Sequence, residues 1–443
     1  MRILQVVKQR VLIIAYYWPP AGGGGVQRWL KFVKYLHNSD WQPVVFVPEN
    51  ADYPVYDETL LTEIPEGVEV IRCPIFEPYR ALRKATGKGD AGISAGFIRS
   101  EKGPSFMERL MAWVRGNILI PDARMFWIRP ASNFLVKYLK DNPVDLIVST
   151  GPPHSMHLIA RRVHRKTGVS WLADFRDPWV NMDNADKFQM SAWAKRRHAK
   201  LERSVLKEAT VVDTVSWYLS AEYEKIRGSE VKVLTNGFDH VDFEGREVKP
   251  TDKFIVGHYG TFGDDRNAPA LWRALSRLVN ESEEFKNRMI IRLVGPTDGS
   301  VLEDVKRNGL SEHLEYIPYV KHNEVLDLML TPQLLLVILN QNANEEGRVT
   351  GKIFEYVATG NRVLGIGSIT SDCARVINES ESGAMIAFQD EERIYEFIKQ
   401  SFPCITNEPL NPRVMKYSRQ SLTDALRANV FDECLRRMSS TVF

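Results

Sequence analysis

Cysteine is scarce in this chain. Cys73, Cys373, Cys404 and Cys434 are the only four, with no CxxC pair and no histidine at metal-ligand spacing. That pattern excludes a disulfide framework and a zinc site, and reads as reduced core thiols of a cytosolic protein. Long apolar runs are missing as well. No stretch of 18 apolar residues occurs, so no membrane span is expected. Neither sign of charge dominates: 58 Lys and Arg against 56 Asp and Glu leave a net +2, so nothing global points to nucleic acid. The first residues, MRILQVVKQRVLIIAYYW, are interrupted by Lys8 and Arg10 and lack a small-residue cleavage site, so no signal peptide is read there. The remainder is ordinary for a soluble globular protein, with 44% hydrophobic and 26% charged residues. At 443 residues the chain exceeds a single core, and two domains are expected.

What is present is a repeated pattern of short apolar strands that end in Gly, Pro or charged residues. Its most informative stretch is GRVTGKIFEYVATGNRVLGIG, Gly347 to Gly367. An apolar strand, Leu334 to Leu339, precedes it. A short helix opens at about Gly351, stops at Gly360, and a second strand starts at Arg362. Such a βαβ unit carries its ligand site at the C-terminal end of the strand. Backbone N–H groups around Thr350, Gly351 and Lys352 can hold an anion, and Lys352 adds a full charge. Glu355 projects from the same helix face one turn later. A phosphate at one end of a ligand with hydroxyls nearby fits this set, as in a nucleotide sugar. The ordinary alternative is a solvated Lys352–Glu355 pair on a surface helix.

The first half repeats the design. A buried strand, Val11 to Tyr17, leads to Pro19-Pro20-Ala21 and then Gly22 to Gly25, and a helix follows with an apolar face of Val26, Trp29, Leu30 and Val33. No Gly-Lys-Ser/Thr follows the glycines, and Gln27 stands where a dinucleotide fingerprint needs its third glycine, so nucleotide hydrolysis and hydride transfer both lose weight. Val144 to Ser149 ends in TGPPH, with His154 at a helix start, where an imidazole tends to stay neutral and can hydrogen-bond a sugar hydroxyl. Val169 to Asp174 ends in Asp174, Arg176 and Asp177, either a functional group of charges or an internal Asp–Arg pair that holds the loop. Between Arg80 and Pro130 a basic insert breaks the pattern. There Arg109, Arg115 and Arg124 alternate with apolar residues such as Trp113, which suits an anionic membrane face, an acidic acceptor or a covering loop. In the second half the strand Phe254 to Tyr259 leads to Gly260-Thr261 and then Asp264-Asp265-Arg266. The two acids lack a third ligand and are weak evidence for a metal; Arg266 is the residue of interest.

In this order, YYWPPAGGGGVQRW, STGPPHS, DFRDPW, LTNGFD, HYGTFGDDRNAPALWRAL and GKIFEYVATG resemble family-4 retaining glycosyltransferases of the GT-B fold, over nearly the whole chain. The resemblance implies an α/β protein with two Rossmann-like doubly wound domains facing across a cleft. These are an acceptor-side domain over 1–245, with its insert at about 80–130, and a nucleotide-sugar domain over 246–410. A C-terminal helix, 411–443, crosses back to the first domain. It also implies transfer of a hexosyl or related group from a nucleotide diphosphate sugar, with retention, no obligatory metal and no other cofactor. The acceptor would be a lipid- or glycan-linked sugar of cell-surface polysaccharide synthesis, met at the inner face of the cytoplasmic membrane through peripheral contact.

Carried over by position, Gly23, Gly24 and Gly25 match the glycine loop, and Arg266 falls where the family has a lysine on the donor diphosphate. Thr261 stands where an arginine is usual. Glu355 matches the second glutamate of a ribose-binding pair. The first falls at Gly347, which has no carboxylate, leaving Glu345 or Glu346 to substitute or backbone N–H groups and Lys352 to carry the load. Where the family often has a histidine, this chain reads Asp174 to Asp177. On this reading Asp174, Arg176, Asp177 and His154 position the acceptor hydroxyl, and Arg109, Trp113, Arg115 and Arg124 meet acceptor or membrane. The rival readings are a nucleotide-sugar epimerase on the same architecture and a carbohydrate-binding protein without catalysis.

Overall fold

The computed structural model describes residues 8–78, 106–181, 188–246, 248, 251–318, 320, 322–341, 345–402 and 409–439. Arg80, Arg83, Lys84, Lys88, Arg99 and Lys102 of the basic insert lie outside them, as does Cys404. Cys73, Cys373 and Cys434 are buried free thiols.

The chain divides into two compact units, one built from residues up to Leu234 together with those from Thr423 on, the other from Thr235–Leu422. The first unit holds a seven-stranded sheet made of β1 (Gln9–Ile14), β2 (Trp41–Pro48), β3 (Glu69–Cys73), β4 (Leu146–Gly151), β5 (Ser170–Phe175), β6 (Val211–Thr214) and β7 (Lys232–Val233). Their spatial order is β3-β2-β1-β4-β5-β6-β7, and every pairing is parallel. Val11 to Ile14 have no exposed surface, which is why the strand reads as one apolar run: helices cover both faces of a parallel sheet. Val26, Trp29, Leu30 and Val33 of helix Gly24–His37 are buried, as their helical spacing requires. β1 begins earlier and ends sooner than the apolar run Val11 to Tyr17 suggests; beyond its end Tyr16 donates its hydroxyl to Glu77 at 2.6 Å.

The second unit holds β8 (Phe254–Tyr259), β9 (Met289–Val294), β10 (Leu314–Ile317), β11 (Leu334–Ile338), β12 (Arg362–Ile366) and β13 (Gly383–Ile386). They are again parallel, in the order β10-β9-β8-β11-β12-β13. In each sheet the strand order reverses once, between β1 and β4 and between β8 and β11. The crevice beyond the strand C-termini at such a reversal is where open α/β sheets bind ligands. Both units are therefore doubly wound and Rossmann-like.

The end of the chain belongs to the first unit. From Thr423 on, the chain passes through the π-helical turn Leu426–Phe431 into helix Asp432–Ser439, which returns to its sheet. There Ser170 Oγ donates to the Cys434 carbonyl at 3.0 Å, Arg437 donates to Thr210 O at 3.1 Å, and Phe431 packs edge-on against Trp41.

Candidate functional site

In the second unit the reversal between β8 and β11 gathers three cations. Helix Gly351–Ala358 follows β11, and its N-cap residue, Thr350, makes no side-chain cap, so the first N–H groups stay available. It ends where Gly360 takes φ 74°, a left-handed turn. The Lys352 side chain lies over Gly260, the residue that follows β8: a Cβ at that position would land on Lys352 Cε. Gly260 has φ 123°, which only glycine adopts without strain. Among the described residues neither the Lys352 nor the Glu355 side chain has a hydrogen-bond or ion-pair partner, and the two do not pair with each other. Both are half-buried. The solvated surface pair is thus not what forms.

Arg266 is held in a frame. Its Nε donates to Asn340 Oδ1 at 3.0 Å and its Nη1 to Thr261 O at 3.1 Å. Arg348 Nη1 donates to the same Asn340 oxygen at 2.9 Å, and Asn340 Nδ2 donates to Asp265. Asp265 is therefore a loop acid that orients the asparagine. Beneath them lies His258, buried, with Nδ1 at 3.1 Å from Leu336 O. Burial, together with the nearby charges of Lys352 and Arg266, lowers its pKa to about 4. The two cations therefore converge on one place. Thr261 is exposed, and its carbonyl serves Arg266. Glu345 and Glu346 turn instead to the loop after β12: Glu345 accepts from Ser368 N, and Glu346 accepts from Ser368 Oγ at 2.5 Å and Thr370 Oγ1 at 3.0 Å. Asn340, Arg348 and His258 were not singled out from the sequence. The position of Asn340, as the first polar residue after an apolar strand, is the one signal that could have found it.

In the first unit the reversal between β1 and β4 places the glycine loop beside the end of β4. Gly23 has φ 86° and precedes the uncapped helix Gly24–His37; added Cβ atoms at Gly23 or Gly24 would meet open space. Arg176 pins this loop, donating to Gly25 O at 2.7 Å, Gly151 O at 3.3 Å and Pro152 O at 2.5 Å. Asp174 is fully buried, and four donors occupy its oxygens: Arg28 Nε at 3.2 Å and Nη2 at 3.0 Å, Trp29 Nε1 at 2.6 Å and Thr150 Oγ1 at 2.6 Å. The internal Asp–Arg pair is thus real, with Arg28 and not Arg176 as the arginine. Burial by itself would raise the Asp174 carboxyl, but Arg28 and the two neutral donors hold it below the ordinary carboxylate range. Asp213, 3.3 Å from Arg28, is pushed well above that range by burial and by the Asp174 charge. One proton thus serves the pair: Asp174 is ionised and Asp213 neutral.

His154 stacks flat on Trp179, with ring centres 4.6 Å apart. Burial, then the neighbouring His157, His198 and Arg176, hold it well below its ordinary pKa, so it is neutral. Asp177 is exposed and has no partner among the described residues. Arg124 is engaged internally, with Nη2 donating to Tyr16 Oη at 2.9 Å and Nε at 3.4 Å from Glu77. Arg109 and Trp113 are exposed on helix Phe106–Asn117, and Arg115 stacks on Phe188 at 4.7 Å.

Comparison with known proteins finds one matching domain family and a shared fold. Residues 23–237 match the Glycosyl transferase 4-like domain. That stretch carries the glycine loop, His154 and Asp174 to Asp177, while the cation cluster lies beyond it. Over the whole chain the fold is GT-B. It is shared with the trehalose-6-phosphate phosphatase N-terminal domain of Candida albicans, at 12% identity and a TM-score of 0.62, covering 96% of this chain and 97% of that one. A glycosyltransferase of Rickettsia africae matches at 14% identity and a TM-score of 0.57, covering 98% of this chain and 97% of the other. Sucrose-phosphate synthase of Thermosynechococcus elongatus matches at 14% identity and 0.55, covering 98% of both. At these identities the likeness is one of fold. No curated protein matches the sequence. Among the described residues no helix is long and apolar enough to cross a membrane.

Proposed function

We propose that this protein is a retaining glycosyltransferase that moves a sugar from a nucleotide diphosphate sugar to a lipid- or glycan-linked acceptor in cell-surface polysaccharide synthesis. The observation that carries the reading is the unpartnered Lys352 ammonium over Gly260, next to the framed Arg266 and an uncapped helix N-terminus. Preorganised positive charge of this kind stabilises a departing diphosphate without reorganisation at the moment of bond breaking. Glu355, unpaired one turn along, suits the hydroxyls of a ribose. On the acceptor side the glycine loop and the exposed Asp177 are the groups left to meet an incoming hydroxyl, since Asp174 and Arg176 are committed to holding the loop. The similarity of residues 23–237 to the Glycosyl transferase 4-like domain supports the same assignment.

Calorimetry with a free nucleoside diphosphate tests it. A hydrogen bond from a charged group to phosphate is worth about 1.5–3 kcal/mol, so Lys352→Ala and Arg266→Ala each weaken binding roughly 10- to 150-fold. Wild-type affinity in both variants would remove the diphosphate assignment. The epimerase reading has one observation behind it, the shared fold of a putative UDP-N-acetylglucosamine 2-epimerase from Listeria monocytogenes. Conversion of the donor sugar without an acceptor would favour that reading.

A further inference from the structure

Helix Ala192–Glu208 is amphipathic in an unusual sense. Its inner face, Ala194, His198, Glu202, Val205 and Leu206, is buried, and Ser191 caps its start. Its outer face carries Trp193, Arg196, Lys200, Arg203 and Lys207, spaced three, four, three and four residues apart. That spacing is a single helical stripe about 21 Å long. All five are exposed, and Lys195 and Arg197 flank the stripe. None of these six cations has an ion-pair partner among the described residues. The two acids of the helix are turned away from them: Glu202 faces inward to Val180 N and Tyr223, and Glu208 pairs with Arg165 at 2.7 Å. Like charges four residues apart, as at Arg196–Lys200 and Arg203–Lys207, disfavour an isolated helix. A polyanion laid along the face would reverse that penalty.

We propose that this face docks the protein on an anionic lipid bilayer. What favours a bilayer over an anionic polymer is the indole at its head. Trp193 is 60% exposed, and helix Phe106–Asn117 adds the exposed Leu110 and Trp113. That helix is tied to the start of the basic one, because Asn117 Oδ1 accepts from Ser191 N at 2.8 Å and Asn117 Nδ2 donates to Gln189 O at 3.2 Å. Tryptophan beside clustered lysine and arginine is the composition of a helix that lies in a membrane interface, rings at the headgroup boundary and cations over anionic lipid. The inference deepens the lipid-linked acceptor reading, on which it rests. It moves the electrostatic contact from the insert to helix Ala192–Glu208.

Cosedimentation of the full chain with vesicles of phosphatidylglycerol and phosphatidylcholine in equal parts, or of phosphatidylcholine alone, tests it. The wild type is expected to bind the anionic vesicles and not the neutral ones. Changing Arg196, Lys200 and Arg203 together to Gln lowers the partition coefficient on the order of 100-fold, from about one headgroup interaction per charge. Trp193→Ala lowers it severalfold, and that loss persists when salt screens the charges. Both variants keep the wild-type unfolding midpoint and nucleoside diphosphate affinity. Equal vesicle binding by the triple variant and the wild type would overturn the proposal. So would wild-type binding to heparin without binding to anionic vesicles. Vesicle binding by a wild type that binds no nucleotide would leave the docking face standing and remove the glycosyltransferase reading instead.

Discussion

A histidine held neutral inside a folded protein costs stability once its unfolded counterpart can take a proton. Burial, then the Arg176 charge against a counteracting Asp174, brings His157 to about 3, while burial and two cations bring His258 to about 4. The ordinary value is about 6.5. Below it the unfolded chain binds protons that the folded chain refuses, so stability is complete above about pH 6.5 and falls as the pH drops. Each such histidine removes up to about 1.4 kcal/mol per pH unit below its ordinary value. Urea unfolding midpoints should therefore hold steady from pH 8 to 7 and decline between roughly pH 6.5 and 5, and His157→Asn should flatten the decline. A midpoint that stays level through that window in the wild type would contradict it. The buried Asp174 behaves differently: with Arg28 at 3.0 Å its ionised form persists throughout the same range, whereas Asp213 and Glu202, raised by burial, keep a proton that unfolding releases and so partly offset the imidazoles there.

At the scale of elements, two glycines do more than turn the chain. Gly151, at the end of β4, leaves room for two imidazoles: a Cβ there would sit 2.5 Å from His157 Nε2 and 3.1 Å from His154 Nδ1. Gly260, the residue after β8, leaves room for the Lys352 chain. Gly260→Ala asks for a left-handed φ of 123° and for the space Lys352 occupies. The backbone strain costs about 1–3 kcal/mol, and the flexible lysine is the part that gives way. The variant should fold, with a lower unfolding midpoint, and lose roughly tenfold or more in nucleoside diphosphate affinity, matching the lower end of the Lys352→Ala effect. Calorimetry on the folded variant checks this. Full affinity with the strain penalty present would show that the ammonium finds its place without the glycine. Helix Gly351–Ala358 is the partner of that glycine, and its position after β11 brings the two together.

At the scale of the whole molecule, the prediction concerns metal and ligand. Arg266 and Lys352 supply the charge that a divalent ion otherwise brings to a diphosphate, so transfer should survive EDTA. Complete loss in EDTA, restored by magnesium or manganese, would return Asp264 and Asp265 to consideration as ligands. A panel of nucleotide sugars should raise the unfolding temperature only for the true donor. A ligand at a hundred times its dissociation constant adds about 2.7 kcal/mol.

By itself, the sequence determined the kind of fold and roughly where its strands lie. Short apolar runs with glycine, proline or charge after them read as buried parallel strands with open C-terminal edges, and that pattern is local. It also pointed to Lys352, Arg266 and Glu355, because a helix N-terminus and its first turn are set by neighbours in sequence. Only the tertiary structure decided which charges are spent and which are free. Asp174 and Arg176 look alike in the sequence DFRDPW, yet one is saturated by Arg28 from 146 residues away and the other pins a glycine loop 151 residues away. Arg124 goes to Tyr16 for the same reason, while the cations of helix Ala192–Glu208 have no ion-pair partner among the described residues. A charge is free or committed according to what sheet order brings beside it, and sheet order is a property of the packed chain.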